Sequence, residues 1–103
     1  MDLEKLELEL SLKKRELERK EDSLFNKKEE GIEKLHEIAK RSKHYLRGLS
    51  DDTTELNMGL RQLEKMEDDI EDAYKKEKRQ IKNNLDDLNT EYSIKRKNLL
   101  EGK

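Results

Sequence analysis

Leucine recurs at every seventh position from Leu3 through Leu10 and Leu17 to Leu24, which is one edge of a coiled-coil seam. The other edge is thin, because Leu6 is followed at the same heptad position by Lys13, Lys20 and Lys27. Beyond Gly31 the apolar line moves over by one position, to Ile32, Leu35, Ala39, Leu46 and Leu49, flanked by Ile38 and Tyr45. A second stretch repeats the behaviour: Leu56, Leu63, Met66, Ile70 and Ala73 follow one register, and Ile81, Leu85, Leu88, Tyr92 and Leu99 another. Both shifts span eleven residues, Leu24 to Leu35 and Ile70 to Ile81. An insertion of four residues into a heptad pattern, a stutter, is the expected cause.

The pattern predicts two long helices, from about residue 2 to 47 and from about 53 to 100, with a turn at about 48–52. Asp2 is a candidate cap for the first. Gly48 can adopt the left-handed conformation that closes a helix, and Lys40, Arg41, Lys43 and Arg47 complement the negative end of the helix before it. Asp52-Thr53-Thr54-Glu55 has capping-box spacing, so Asp52 is expected to cap the second helix. The fold class is therefore all-α, an antiparallel two-helix hairpin of coiled-coil type that assembles into a helical bundle. Folding back at about residue 52 pairs residues whose numbers sum to about 105. That sets 24–35 against 70–81, so the two shifts meet, and it places Gly31 opposite Tyr74 as a close approach. Gly59 is expected on the surface.

Charge supports the pairing. The acidic run Glu67, Asp68, Asp69, Glu71 and Asp72 is expected beside Lys34, Lys40 and Arg41, and the basic run Lys75, Lys76, Lys78, Arg79 and Lys82 beside Glu21, Asp22, Glu29 and Glu30. Exposed pairs contribute only about 0–1 kcal/mol each, so they select register rather than stability. Within the helices, Glu9–Lys13, Glu16–Lys20, Glu30–Lys34, Glu71–Lys75, Asp72–Lys76 and Glu91–Lys95 are i, i+4 pairs of the favourable orientation. Charged residues make up 49% of the chain and hydrophobic ones 30%, too few apolar groups for a conventional core; the absence of proline together with the leucine spacing favours helix over disorder. The 24 basic and 26 acidic residues nearly cancel, so no whole-chain field favours nucleic acid or an anionic membrane. There is no cysteine, hence no disulfide framework or thiolate site. No stretch approaches the roughly 20 apolar residues of a membrane span, and the acidic start lacks a signal-peptide pattern, so membrane insertion is not expected.

Candidate chemistry is sparse. His36 and His44 lie two turns apart, too far to share a metal, and Glu33-x-x-His36 has the spacing used in di-iron bundles but no second copy. No nucleophile motif or glycine-rich phosphate loop is present. No catalytic residue, cofactor or metal is assigned, and enzyme activity is not expected.

Apolar residues near the turn exceed what a single seam uses, and Leu8 and Leu12 add a second face on the first helix. We assign Leu35, Ile38, Tyr45, Leu46, Leu56, Met58, Leu60, Leu63 and Met66 to partner binding, because this stripe is wider than the roughly 100° that one neighbour covers. The open end, with Lys13, Lys20 and Lys95 at seam positions, is expected to fray.

In length, two-helix plan, central turn and lack of proline and cysteine, the chain resembles the small WXG-like helical-hairpin proteins of Gram-positive type VII secretion. The similarity is greatest to the charged, roughly hundred-residue partners encoded beside LXG toxins. The WXG turn would fall near Arg47-Gly48-Leu49, yet the chain has no tryptophan. The aromatic-to-acid export signal is missing after the second helix, where Tyr92 is followed four residues later by Arg96; Phe25 and Glu29 have the spacing inside the first helix. The resemblance implies a targeting factor or chaperone that binds the toxin's helical N-terminal domain alongside a second small helical protein. A cytoplasmic location is expected, with co-export alongside a partner as the route out of the cell. The alternative is a homodimeric coiled-coil spacer or scaffold without a client.

Overall fold

The computed structural model describes residues 2–49 and 53–102. They form two α-helices, α1 (Leu3–Leu49) and α2 (Thr54–Glu101), packed on one another as an all-α helical hairpin. Asp2 caps α1: its Oδ1 accepts a hydrogen bond from the Lys5 N–H at 2.8 Å, and its carbonyl accepts the first intrahelical bond, from Leu6. That arrangement satisfies donors that every helix N-terminus leaves open. At the other end of α1 the expectation for Gly48 fails. The helix runs through it to Leu49, with no left-handed backbone at the glycine. In α2 the first intrahelical bond runs from the Asn57 N–H to the Thr53 carbonyl, so Thr53 holds the cap position; Asp52 and its capping box lie outside the described residues.

By packing, the chain divides into two units, Met1–Leu24 with Lys76–Lys103 and Phe25–Lys75. In the first, Glu7 pairs with Arg96, Lys13 lies over the Tyr92 ring, and Glu21 meets Lys78 at 3.9 Å. In the second, Phe25 meets Tyr74, Gly31 approaches Ile70, and His36 pairs with Glu67. Each unit is thus an antiparallel helix pair. Lys13 with Tyr92 meets the expected sum of 105; the other pairs fall two to six short of it.

Each helix carries one stutter. Along α1 the buried or half-buried positions run Leu10, Lys14, Leu17, Glu21, Leu24, Lys28, Gly31, Leu35, Ala39, Ser42, Leu46, with Ile32 beside Gly31, so steps of three and four alternate except at Gly31–Leu35–Ala39, where two steps of four follow one another. Along α2 they run Leu56, Leu60, Leu63, Glu67, Ile70, Tyr74 and resume at Ile81, Leu85, Leu88, Tyr92. Lys28, Gly31, Glu67 and Tyr74 fill the apparent gaps, whereas Met66 and Ala73, expected in the seam, are exposed. The one-position shift from Gly31 to Ile32 and on to Ala39 is this stutter, and it lets a nearly straight helix, which drifts about 20° per heptad from a strict seven-residue repeat, keep its seam toward the other helix. Gly31 is a close approach, with Ile70 rather than Tyr74: a Cβ there would stand 3.3 Å from Ile70 Cδ1. At Gly59 a Cβ would meet nothing within 4 Å.

Tyr92 is the most buried side chain, 2% exposed, in the unit that also holds buried Leu6. Lys13 and Lys95 lie over its ring, at 5.4 and 4.8 Å from the centre. Lys13 and Lys95, expected to loosen this end, instead cover the Tyr92 ring, through the attraction of ammonium groups for a ring face; Lys20 stays exposed beside Glu16. The Tyr92 hydroxyl is buried without a hydrogen bond, yet it is the main influence holding the Lys13 ammonium above its ordinary 10.5, ahead of Glu9 and Glu91. Glu91 pairs with Lys95 at 3.0 Å, which lowers its carboxyl below the ordinary 4.5. This pair therefore favours the folded chain above about pH 4.5 and ceases to do so as acid protonates Glu91. Glu9–Lys13 and Glu16–Lys20 also form as i, i+4 pairs, at 3.7 and 4.0 Å.

Candidate functional site

Every residue assigned to partner binding falls in the unit Phe25–Lys75, but they do not share one surface. Leu35 and Leu56 are buried in the helix pair, and Leu46, Leu60 and Leu63 are half-buried along the same seam. The hairpin itself covers Leu35 and Leu56, so neither presents its side chain at the surface. Ile38, Tyr45, Met58 and Met66 remain outside, at 47%, 67%, 65% and 43% exposure.

Helix geometry sorts these four. At about 100° per residue, the seam direction of α1 in this unit is set by Leu35, Ala39, Ser42 and Leu46, and that of α2 by Leu56, Leu63, Glu67 and Tyr74. Ile38 and Tyr45 lie roughly 70–90° to one side of the α1 seam, and His36 and Lys43 a similar angle to the other. On α2, Met66 falls roughly 80° to one side and Glu64 to the other, while Met58 points nearly straight back from the hairpin.

The side carrying His36 is polar and already occupied by its own contacts. His36 Nε2 meets Glu67 Oε2 at 3.2 Å, and His36, Lys43, Glu64 and Glu67 line the rim of a shallow groove between the helices whose floor is Leu35, Ala39, Leu60 and Leu63. Glu67 meets His36 rather than the expected Lys34, Lys40 or Arg41. Further along, Lys28 Nζ sits 4.8 Å from the Phe25 ring centre and 4.6 Å from that of Tyr74, and the two rings meet edge to face at 6.3 Å. Glu29, at 3.1 Å, is the main influence raising the Lys28 pKa, with Glu71 and Tyr74 contributing. Lys28 thus covers this seam with its stem and closes it with its charge.

The opposite side is different. Because Gly31 approaches Ile70 there, the residues at seven-residue spacing from it share its side of α1: Gly31, Ile38, Tyr45. The corresponding line on α2 is Gly59, Met66, Ala73. These two lines run beside the seam and carry no charge. They bring together Ile38, Tyr45 and Met66 from the sequence assignment, exclude Met58, and add three small residues that a search for large apolar side chains passes over. The signal was present as a common seven-residue spacing; glycine and alanine simply have no apolar bulk to attract notice.

Among the described residues no group of three or more histidine and acidic side chains could hold a metal ion, and Glu33 and His44 are exposed on α1. Among the described residues no helix is long and apolar enough to cross a membrane. Compared with known proteins, the chain matches no family model, no curated protein and no solved structure.

Proposed function

We propose that the protein is a non-enzymatic helical binding module that covers amphipathic helices of a partner protein. The observation that carries this reading is the uncharged side of the unit Phe25–Lys75, where Ile38, Tyr45 and Met66 remain exposed beside a seam whose other side carries charged residues, the His36–Glu67 contact and the cation–ring contacts of Lys28. A helix laid along two parallel lines of small and large apolar residues gains affinity from buried area, while flanking charges select its orientation. The client class we favour is the helical N-terminal domain of an LXG-type toxin of type VII secretion, for which the protein acts as a targeting factor or chaperone and with which it travels if exported. Support for that client is the architecture: a charged hairpin of this length with an unfilled apolar face near its turn.

The test is co-expression with the N-terminal domain of an LXG toxin encoded beside its gene. The expected result is one co-purifying complex that Ile38→Glu abolishes and Met58→Glu leaves intact. Two components that fold and purify apart would overturn the client, as would a gene with no such neighbour. A client-free homodimeric spacer is the second reading; the same uncharged face, open to a second copy, supports it.

A further inference from the structure

The two uncharged lines are bordered by charge of opposite sign. Outside the line Gly31, Ile38, Tyr45 on α1, the next positions at seven-residue spacing are Lys27, Lys34 and Arg41; outside Gly59, Met66, Ala73 on α2 they are Glu55, Gln62 and Asp69. The face is therefore an apolar strip with a basic margin on one helix and an acidic-to-neutral margin on the other. All of these residues belong to one unit.

We infer that this face is filled by a second copy of the chain, stacked face to face as a four-helix bundle with both turns at the same end. Two symmetric ways of stacking exist, and charge separates them. If the two-fold axis runs along the helices, α1 of one copy lies over α2 of the other, and the basic margin meets the acidic one on both sides. If the axis crosses the helices, α1 lies over α1 and the line Lys27, Lys34, Arg41 faces itself. Like charges placed together are strongly unfavourable and opposite ones select orientation, so the first arrangement is the one these margins permit.

Heights agree with it. Rotation about an axis along the helices leaves every residue at its own level, and within the unit the levels are set by His36 with Glu67 and Gly31 with Ile70. Lys34 then comes level with Asp69 of the second copy, and Arg41 with Gln62, between Asp69 and Glu55. Tyr45, two-thirds exposed, comes over Gly59 of the second copy, where a Cβ has nothing within 4 Å, so the largest side chain of the strip meets its emptiest place. Ile38 packs on Met66, and Gly31 with Ala73 lets the backbones close together. Met58 on the back of α2 and the His36–Glu67 side stay outside the bundle.

This inference rests on the reading of the face as an interface, not on the identity of a client. A client's helix pair would take the place of the second copy.

Sedimentation equilibrium on the full chain tests it with two charge-reversed variants, Lys34→Glu/Arg41→Glu and Glu55→Lys/Asp69→Lys. Wild type is expected to dimerise, each variant alone to self-associate at least about a hundredfold more weakly, and an equimolar mixture of the two to regain a dimer. Neither variant should pair with wild type, because one margin of the mixed dimer then carries like charges. Circular dichroism checks that both stay helical. A wild type that remains monomeric at about 100 µM, a variant that self-associates as wild type does, or a variant that pairs with wild type, as the crossed stacking requires, would each overturn the inference. If the dimer forms as described but the toxin domain does not bind, the client proposed above fails and the inference stands.

Discussion

Tyr92→Ala is expected to cost about 3–5 kcal/mol and to melt the helix ends around it, because the largest buried side chain of that unit is removed and little can collapse into its place. Leu6, which lines the same groove as Tyr92, would lose cover in a unit where few of the described side chains are buried. Lys13 and Lys95 would lose the ring that both now cover and stand as bare lysines beside a seam. Tyr92→Phe should do the reverse. It keeps the ring and both cation contacts and deletes a buried hydroxyl whose favourable influence is on the exposed Lys13 ammonium, so the folded chain should stay within about 1 kcal/mol of wild type. Urea denaturation followed by circular dichroism reads both. A Phe variant clearly less stable than wild type would mean that the hydroxyl has a partner in solution.

Leu35→Glu is the second large effect. Leu35 is one of four buried hydrophobic residues among those described, and a carboxylate there would be desolvated within reach of Glu67, which half-fills the facing seam. Breaking a packed seam with an unpaired charge costs several kcal/mol, on the order of 3–5, a large part of what holds a small domain folded. The expected outcome is loss of protection from hydrogen exchange throughout residues 25–75. Ile38→Glu, three residues on, should leave helicity and exchange in the isolated chain nearly unchanged, because Ile38 is half exposed beside the seam rather than in it. If both substitutions unfold the unit equally, the division into seam and outer face is wrong.

The hairpin was legible because its evidence is local: a helix-length leucine pattern, a break near residue 50, and a second pattern, with Asp2 in a capping position that the Lys5 hydrogen bond confirms. The details of the seam were not. Counting apolar residues treats Lys28, Gly31 and Glu67 as interruptions, yet a lysine stem can lie on two aromatic rings, a glycine can admit a neighbour's isoleucine, and a carboxylate can reach a histidine across the helices. Gly48 failed as a stop because nothing local prevents a glycine from continuing a helix by one more residue; its permissiveness allows a turn without requiring one. The nine residues assigned to partner binding all fall in one unit, but the helix pair divides them into buried, flanking and outward-facing positions. Hydrophobicity marks Leu35, Ile38, Leu56 and Met58 alike, and only the direction of the other helix distinguishes buried, flanking and outward-facing positions. The charge margins needed the same knowledge, since Lys34, Arg41 and Asp69 had been matched to each other within one hairpin.

The most direct test of the docking face compares two methionines that the isolated chain exposes, Met58 at 65% and Met66 at 43%. Both oxidise to sulfoxide in proportion to access, and they differ only in where they point: Met66 into the uncharged strip, Met58 away from the hairpin. Peroxide oxidation followed by mass spectrometry, over a range of protein concentrations, reads the two within one sample. As concentration rises, or when a helical partner is added, Met66 should become protected while Met58 reacts at an unchanged rate. Equal reactivity of both at every concentration, with and without partner, or protection of Met58 in place of Met66, would contradict it.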